Sequence, residues 1–289
     1  MIPLQFIGNK RSGSSYLTTL LNRIPEVFCT NESDVVWLLY QMDQLSPQIT
    51  REEIKAGREN ATDGQEFGNK SINPFVRHPL DIGSAGAVHT LRAVRFYGGE
   101  EAFTEGDMRY RYEAVQNMEW LHIRQGFTKR PYGQAVKQDL LRKEWADLSY
   151  VGDKMPTQVA DPDVFNWWIS TFPETRFIHL IRDPRRVVAS MMRLGFNTWW
   201  RKEADKVYYQ WAEIERWALD IEGKIPDQVI RVRQEDMVSN PDRLMRSVVT
   251  FLGLHNTVSF SAVKVTESDP LDAPDDPYVR EVMEEYGYG

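Results

Sequence analysis

"FIGNKRSGSSYL", residues 6–17, closes a short apolar run and leads into leucines at helical spacing. Gly8 and Gly13 fall at the spacing of the phosphate-binding pattern G-x-x-x-x-G-K-[ST], and Ser15 takes its final hydroxyl position, but Ser14 stands where the lysine belongs. Leu4–Gly8 reads as a buried strand, and Tyr16, Leu17, Leu20 and Leu21 recur as one face of a helix. A tight turn between strand and helix aims several backbone N–H groups outward, and the helix N-terminus adds a partial positive charge. The stretch therefore reads as an anion cradle. Its charged side chains, Lys10 and Arg11, precede the second glycine, which removes the main side chain of ATP hydrolysis. A glycine-serine turn with solvated Lys10 and Arg11 is the plainer alternative.

Outward from this loop the same strand-to-helix grammar repeats. Phe177–Ile181 is a continuous apolar run of the kind buried on both faces of a parallel sheet. Asp183 can cap a following helix with Pro184 at its first position and Gly195 past its end. Val229–Val232 is a third strand, Asn240-Pro241 opens a helix that stops at Gly253, and a further strand ends near Val151. Strands alternating with helices predict an α/β fold, a doubly wound, mainly parallel sheet flanked by helices, with ligands beyond the carboxyl ends of the strands. Residues 205–222 form an amphipathic helix with Val207, Trp211, Ile214, Ala218 and Ile221 on one face. Residues 51–147 differ: they are rich in glycine turns, balanced at 15 basic and 15 acidic residues, and carry one helix around Arg111–Arg124. They read as a mostly helical cap insertion for the acceptor within a single 1–289 domain.

The 289 residues are 42% hydrophobic with nine Trp, thirteen Phe and twelve Tyr, enough for one sizeable core. The apolar runs are short and no basic segment precedes an apolar one at the N-terminus, so neither a membrane span nor a signal peptide is expected. A single cysteine, Cys29, excludes an intrachain disulfide and fits a cytoplasmic protein in which it is a small buried residue. Of the net charge of −7, residues 265–289 supply eight acids against Arg280 alone, leaving 34 basic and 34 acidic residues elsewhere. A neutral body with an acidic C-terminal tail, read as a solvated surface, carries no electrostatic footprint for nucleic acid.

"LIRDPRRVVASMM", from Leu180, puts Arg182 at a strand's carboxyl end and Ser190 eight residues later, about two helical turns on. Both can face one bound group, the guanidinium gripping a phosphate in two places and the hydroxyl adding a third bond. With "KRSGSSYL", "GDKMP" at 152–156 and "RVRQEDMVSNPDRLMRSVVTFLGL" at 231–254, these motifs stand in the order of one family. The chain resembles the sulfotransferases that use 3′-phosphoadenosine 5′-phosphosulfate (PAPS), and their protein-tyrosine and carbohydrate branch more than the cytosolic small-molecule branch. The resemblance covers residues 4–42 and 148–254 and implies a P-loop NTPase-like fold. It makes Lys10, Arg11, Ser12, Gly13, Ser14 and Ser15 the 5′-phosphosulfate loop and Arg182 and Ser190 the 3′-phosphate motif. PAPS is then the donor and adenosine 3′,5′-bisphosphate (PAP) the product. Magnesium and other metals are not implied, and no cluster of His, Cys, Asp or Glu at ligand spacing accompanies the motifs. The sequence departs from many relatives at Gln234, where they carry a tyrosine.

Sulfuryl transfer asks for in-line positioning and for positive charge around the transferring group. Arg11 and, given the resemblance, Lys154 are the expected suppliers; without the resemblance Lys154 in its Gly-Asp-Lys turn reads as solvated. The acceptor hydroxyl needs a base, and the resemblance points to Glu32 in "CTNESDVVWLLYQ". Acids just before an apolar helix also serve as caps, which leaves that role open for Glu32. His78, His89 and His122 lie in the expected cap as alternative bases, while His179 reads as core and His255 as a turn. Trp199, Trp200, Tyr110 and Tyr112 can be core or a stacking surface. The acceptor is a hydroxyl-bearing small molecule, glycan or peptide. A nucleotide or small-molecule kinase on a related fold and a non-catalytic module that binds PAP or PAPS are the competing readings.

Overall fold

The computed structural model describes residues 1–45, 90, 93–94, 96–97, 106–126, 131–155, 158–193, 203–255, 258–260 and 269–289. Five strands form one sheet, β1 (Ile2–Gly8), β2 (Val27–Asn31), β3 (Tyr150–Lys154), β4 (Arg176–Ile181) and β5 (Val229–Arg233), in the order β2-β3-β1-β4-β5. The pairs β1·β3, β2·β3 and β4·β5 are parallel, with Cys29 opposite Gly152 and His179 opposite Arg231. The winding direction changes at β1, the position where ligand-binding loops of such sheets are found. The chain thus has the expected α/β, doubly wound, parallel fold. By contacts it forms two compact units that share β1: Met1–Gln5 with Thr18–Thr175, and Phe6–Leu17 with Arg176–Gly289.

In the first unit, β3 is buried along its length, and β2, buried from Val27 to Thr30, is followed by α2 (Val35–Tyr40), which runs into a π-helical turn at Gln41–Leu45. α3 (Met108–Arg124) and α4 (Pro131–Leu140) pack on these strands through Trp120, Ile123, Val136 and Leu140 against Phe28, Leu148 and Val151. Tyr112 of α3 is buried, donates from its hydroxyl to the Val151 carbonyl at 3.0 Å and meets Trp168 edge-on. It is core, whereas Tyr110 is 54% exposed. α3 and α4 both fall within the 51–147 segment expected to form the cap, and α3 carries an apolar face that the mixed charge of the segment obscures. His78 and His89 of the expected cap, and Trp199 and Trp200, lie outside the described residues. α5 (Pro162–Thr171) begins at Asp161, whose side chain accepts from the Asp163 and Val164 N–H groups.

In the second unit, α1 (Ser14–Leu21) starts directly after the glycine loop and is shared with the first from Thr18 on. α6 (Pro184–Arg193) starts as its sequence predicts, the Asp183 carboxylate accepting from the Arg185 N–H at 2.9 Å with Pro184 at the first helical position. Gly195, its expected stop, lies outside the described residues. α7 (Ala204–Lys224) buries Val207, Trp211, Ala218 and Ile221, and with them Glu215. After α8 (Gln234–Ser239), α9 (Pro241–Phe251) is capped by Asn240, which accepts from the Arg243 N–H at 3.1 Å.

Two elements differ from the sequence expectation. β2 is a five-residue run, VFCTN, too short for its period to distinguish strand from loop. The acidic tail, read as solvated, contains α10 (Pro277–Glu285), whose Val279, Val282 and Met283 join Val187, Val188, Tyr208 and Trp211 in a core cluster, together with Tyr286 and Tyr288. These positions fall at i, i+3, i+4 and i+7, one helical face worth roughly 1.5–3 kcal/mol per fully buried large apolar side chain. Its acids take the other face, where Glu281 and Glu285 both pair with Arg216.

Candidate active site

The glycine loop is shaped by contact as much as by chain direction. Gly8 ends β1 at φ 125°, and a Cβ there would stand 2.5 Å from the Leu180 carbonyl oxygen of β4, so the two strands close only over a glycine. Gly13, at φ 89°, would bring a Cβ to 2.9 Å from Gln234 Cγ and 3.0 Å from Met237 Cε of α8. Gln234, the departure from the family's tyrosine, therefore packs against the loop. Arg11 holds φ 69° between the two glycines. The Tyr16 and Leu17 N–H groups donate back to the Gly13 carbonyl, and the N–H groups ahead of them open the helix toward the loop mouth.

The loop and the Arg-Asp-Pro motif are wired together. Arg182, buried at the carboxyl end of β4, donates from Nη1 to the Arg11 carbonyl at 2.9 Å. Arg11 in turn donates from Nε to Ser190 Oγ on α6 at 3.1 Å. Lys10 and Ser15 are exposed beside it. Ser14 is buried at the first helical position, and Ser12 is fully buried with its hydroxyl enclosed by the loop, so that Ser12 presents backbone rather than side chain. The motif has a second support: Glu235 of α8 accepts from the Asp183 N–H at 3.0 Å and from the Tyr288 hydroxyl at 3.0 Å.

In the first unit, Glu32 and Lys154 follow the carboxyl ends of two adjacent parallel strands, and they meet. Lys154 Nζ donates to Glu32 Oε1 at 2.6 Å, the lysine side chain 4% and the glutamate 51% exposed. The Glu32 N–H also donates to the Lys154 carbonyl at 3.2 Å. Lys154 is not the solvated residue of a turn. Glu32 is not a helix cap either: the N-cap of α2 is Asp34, and Glu32 stands outside the helix at φ 60°. The turn is held by Asp153, which is fully buried and accepts from the Ser33 N–H at 3.0 Å, the Asp34 N–H at 3.1 Å and the Thr30 hydroxyl at 3.0 Å. Burial pushes the Asp153 carboxyl above its ordinary value, opposed by these donors and by Lys154. The sequence reading passed over Asp153, whose place directly before Lys154 in a strand-end motif is the signal that could have found it.

Among the remaining expected residues, Cys29 is buried and its thiol is pushed up by that burial. His122 is buried in α3, its ring 5.6 Å from that of Phe96, and His255 lies exposed after α9. His179 is fully buried in β4, as expected of a core residue. Among the described residues no group of three His, Cys, Asp or Glu could hold a metal ion, and no helix is long and apolar enough to cross a membrane.

The parallel α/β sheet thus carries a glycine loop after its first strand and an Arg-Asp-Pro helix after its fourth. Residues 3–257 match the model of the sulfotransferase family, and the chain belongs to that family. Among solved structures it is similar to the sulfotransferase domain of the Synechococcus PCC 7002 olefin synthase, at 16% identity and a TM-score of 0.53, over 100% of this chain and 94% of that one. It is also similar to a sulfotransferase from Alicyclobacillus acidocaldarius, at 12% identity and a TM-score of 0.45, over 99% and 91%. The first likeness establishes the fold. No curated protein matches the sequence.

Proposed function

We propose that the protein transfers the sulfuryl group of PAPS to a hydroxyl acceptor. The observation that carries this reading is the chain of bonds from Arg182 to the Arg11 carbonyl and from Arg11 to Ser190, which joins the glycine loop and the Arg-Asp-Pro helix into one cationic, hydrogen-bonding surface. Such a surface fits a nucleotide with phosphates at both ends of its ribose. The loop N–H groups and the start of α1 suit the 5′-phosphosulfate, with Lys10, Ser14 and Ser15 around it, and Arg182 and Ser190 suit the 3′-phosphate. A lysine after Gly13 has no task here, because this donor has no γ-phosphate to grip.

For the transfer itself, Glu32 is the proposed base and Lys154 and Arg11 the proposed cations. The acceptor oxygen forms its bond to sulfur as the bond from sulfur to the 5′-phosphate oxygen breaks, the hydroxyl proton passes to Glu32, and PAP leaves. The Lys154–Glu32 pair supports these roles, since it holds a carboxylate and an ammonium at 2.6 Å on adjacent strand ends without burying the carboxylate. The segment 51–147 is proposed to form the cap that shapes the acceptor site. The lone buried Cys29 supports a cytoplasmic location.

The reading is tested by incubating the protein with sulfur-labelled PAPS and a panel of hydroxyl acceptors in EDTA. Transfer to at least one acceptor is expected. PAP binding without transfer to any acceptor would leave a nucleotide-binding module, and transfer from ATP restored by magnesium would leave a kinase.

A further inference from the structure

The two ring nitrogens of His179 meet two different carboxylates of α7: Nε2 lies 2.7 Å from Glu215 Oε2 and Nδ1 lies 2.6 Å from Glu222 Oε1. A neutral imidazole has one N–H and one lone pair, and the lone pair would face a carboxylate oxygen at that distance. The geometry therefore calls for the doubly protonated ring. Arg231 of β5 donates from Nε to Glu222 Oε1 at 3.0 Å and pairs with its other oxygen through Nη2. Tyr286, past the end of α10, stands edge-on to the imidazole at 5.8 Å, lies under the Arg231 guanidinium and donates its hydroxyl to the Glu215 carbonyl at 2.9 Å. Burial alone would push the imidazole down, but Glu215 and Glu222 outweigh it and raise His179 above its ordinary value. Burial would likewise raise Glu222, yet hydrogen bonds from His179 and Arg231 hold it at about 2.

This cluster touches the root of the glycine loop. The other oxygen of Glu215, Oε1, accepts from Asn9 Nδ2 at 2.8 Å, and Asn9 is the buried residue directly after Gly8. The His179 ring also lies 3.6 Å from where a Cβ of Gly8 would stand. With the ring protonated, two cations balance two carboxylates. Without that proton Glu222 keeps Arg231 as its partner, but Glu215, fully buried with His179, loses its cation, and Glu215 is the carboxylate that accepts from Asn9.

We propose that Asn9, Glu215 and His179 form a proton-linked clamp that fixes the donor loop, so that loss of the imidazolium proton loosens the loop's hold on the nucleotide. The proposal rests on the donor reading above. These are positioning residues, acting through the loop backbone.

The test is calorimetric titration with PAP between pH 7 and pH 9.5, where its phosphates stay ionised, on the wild type, Asn9→Ala and His179→Gln. Wild-type affinity is expected to fall by roughly tenfold across this range, the size of an ordinary coupling between sites. Asn9→Ala should bind more weakly at pH 7 and show a flat profile. Its urea-unfolding profile should still decline with pH as in the wild type, because a histidine with a raised folded pKa stabilises fully below its unfolded value, about 6.5, and loses that contribution as pH rises through the folded one. His179→Gln should be flat in both measurements. If it does not fold, the Asn9→Ala comparison decides alone. A wild-type affinity independent of pH, or an Asn9→Ala slope equal to the wild type's, would overturn the clamp while leaving the donor reading intact. Failure of the wild type to bind PAP at pH 7 would overturn the donor reading and the clamp with it.

Discussion

The glycine loop after β1 and the Glu32 turn after β2 both leave a parallel strand through left-handed backbone, yet they are secured in opposite ways. The first uses Gly8 and Gly13 at two of its left-handed positions, with Arg11 at the third, and takes support from Arg182 after β4, Ser190 on α6 and Glu215 on α7. The second places Glu32 at φ 60° and Asp34 at φ 59°, where side chains cost roughly 1–2 kcal/mol each, and relies on the three hydrogen bonds gathered by Asp153. One turn has glycine at two of its three left-handed positions and is tied to β4, α6 and α7, whereas the other has side chains at both of its left-handed positions and is tied through Asp153 and Lys154 of β3. Damage should therefore spread differently: graded losses in the loop, and abrupt ones in the Glu32 turn.

The largest effect is expected in that turn. Glu32→Gln keeps the size of the side chain and an acceptor for Lys154 but cannot take a proton at neutral pH, so turnover should fall by about 10²–10⁴-fold with PAP affinity nearly unchanged. Steady-state kinetics beside PAP calorimetry checks both halves of this outcome. Turnover within a few-fold of wild type would strike Glu32 from the catalytic group and bring the histidines of 51–147 forward.

Next in size is the loop's anion grip. PAP should bind better than adenosine 5′-monophosphate, and Arg182→Ala should shrink that preference by about ten- to a hundredfold, the value of roughly 1.5–3 kcal/mol for a charged hydrogen bond. The ratio is the useful quantity, because loss of the Arg182 bond to the Arg11 carbonyl weakens both nucleotides. An unchanged ratio would move the 3′-phosphate away from Arg182.

Asp153→Ala measures the contribution of this carboxylate to the turn directly. It leaves the Ser33 and Asp34 N–H groups without their carboxylate, at about 1–3 kcal/mol for a buried group left unsatisfied. The melting temperature should drop by several degrees and turnover should fall, while PAP affinity holds. Unchanged turnover would mean that Lys154 alone fixes Glu32.

The contrast between the turns also explains what the sequence could disclose. The glycine loop was legible because glycine spacing is a local signal, and the α6 start because Asp183-Pro184 is one too. Glu32 and Lys154 were legible as separate residues, through family resemblance, but their ion pair joins positions 122 apart and the Asn9–Glu215 bond joins positions 206 apart. No local pattern carries such pairings, so Asp153 went unnoticed and His179 read as plain core. The helix α10 was hidden by composition: its acids dominate the count, while its core face depends on spacing alone.

The smallest expected effect separates two jobs that Ser190 can do. Its hydroxyl accepts from Arg11 Nε at 3.1 Å in an exposed position, so Ser190→Ala should lower PAP affinity only by about 2–12-fold, the equivalent of 0.5–1.5 kcal/mol. Adenosine 5′-monophosphate distinguishes the causes. If Ser190 acts on the 3′-phosphate, only PAP weakens, since the monophosphate has nothing at that position to lose. If Ser190 acts by orienting Arg11 within the 5′ loop, both nucleotides weaken by the same factor. Selective loss is expected, because Arg11 keeps its backbone tie to Arg182 when the serine hydroxyl is gone, and that tie already fixes the loop at this residue. Equal loss would reassign Ser190 to the 5′ loop and leave Arg182 as the remaining proposed contact to the 3′-phosphate.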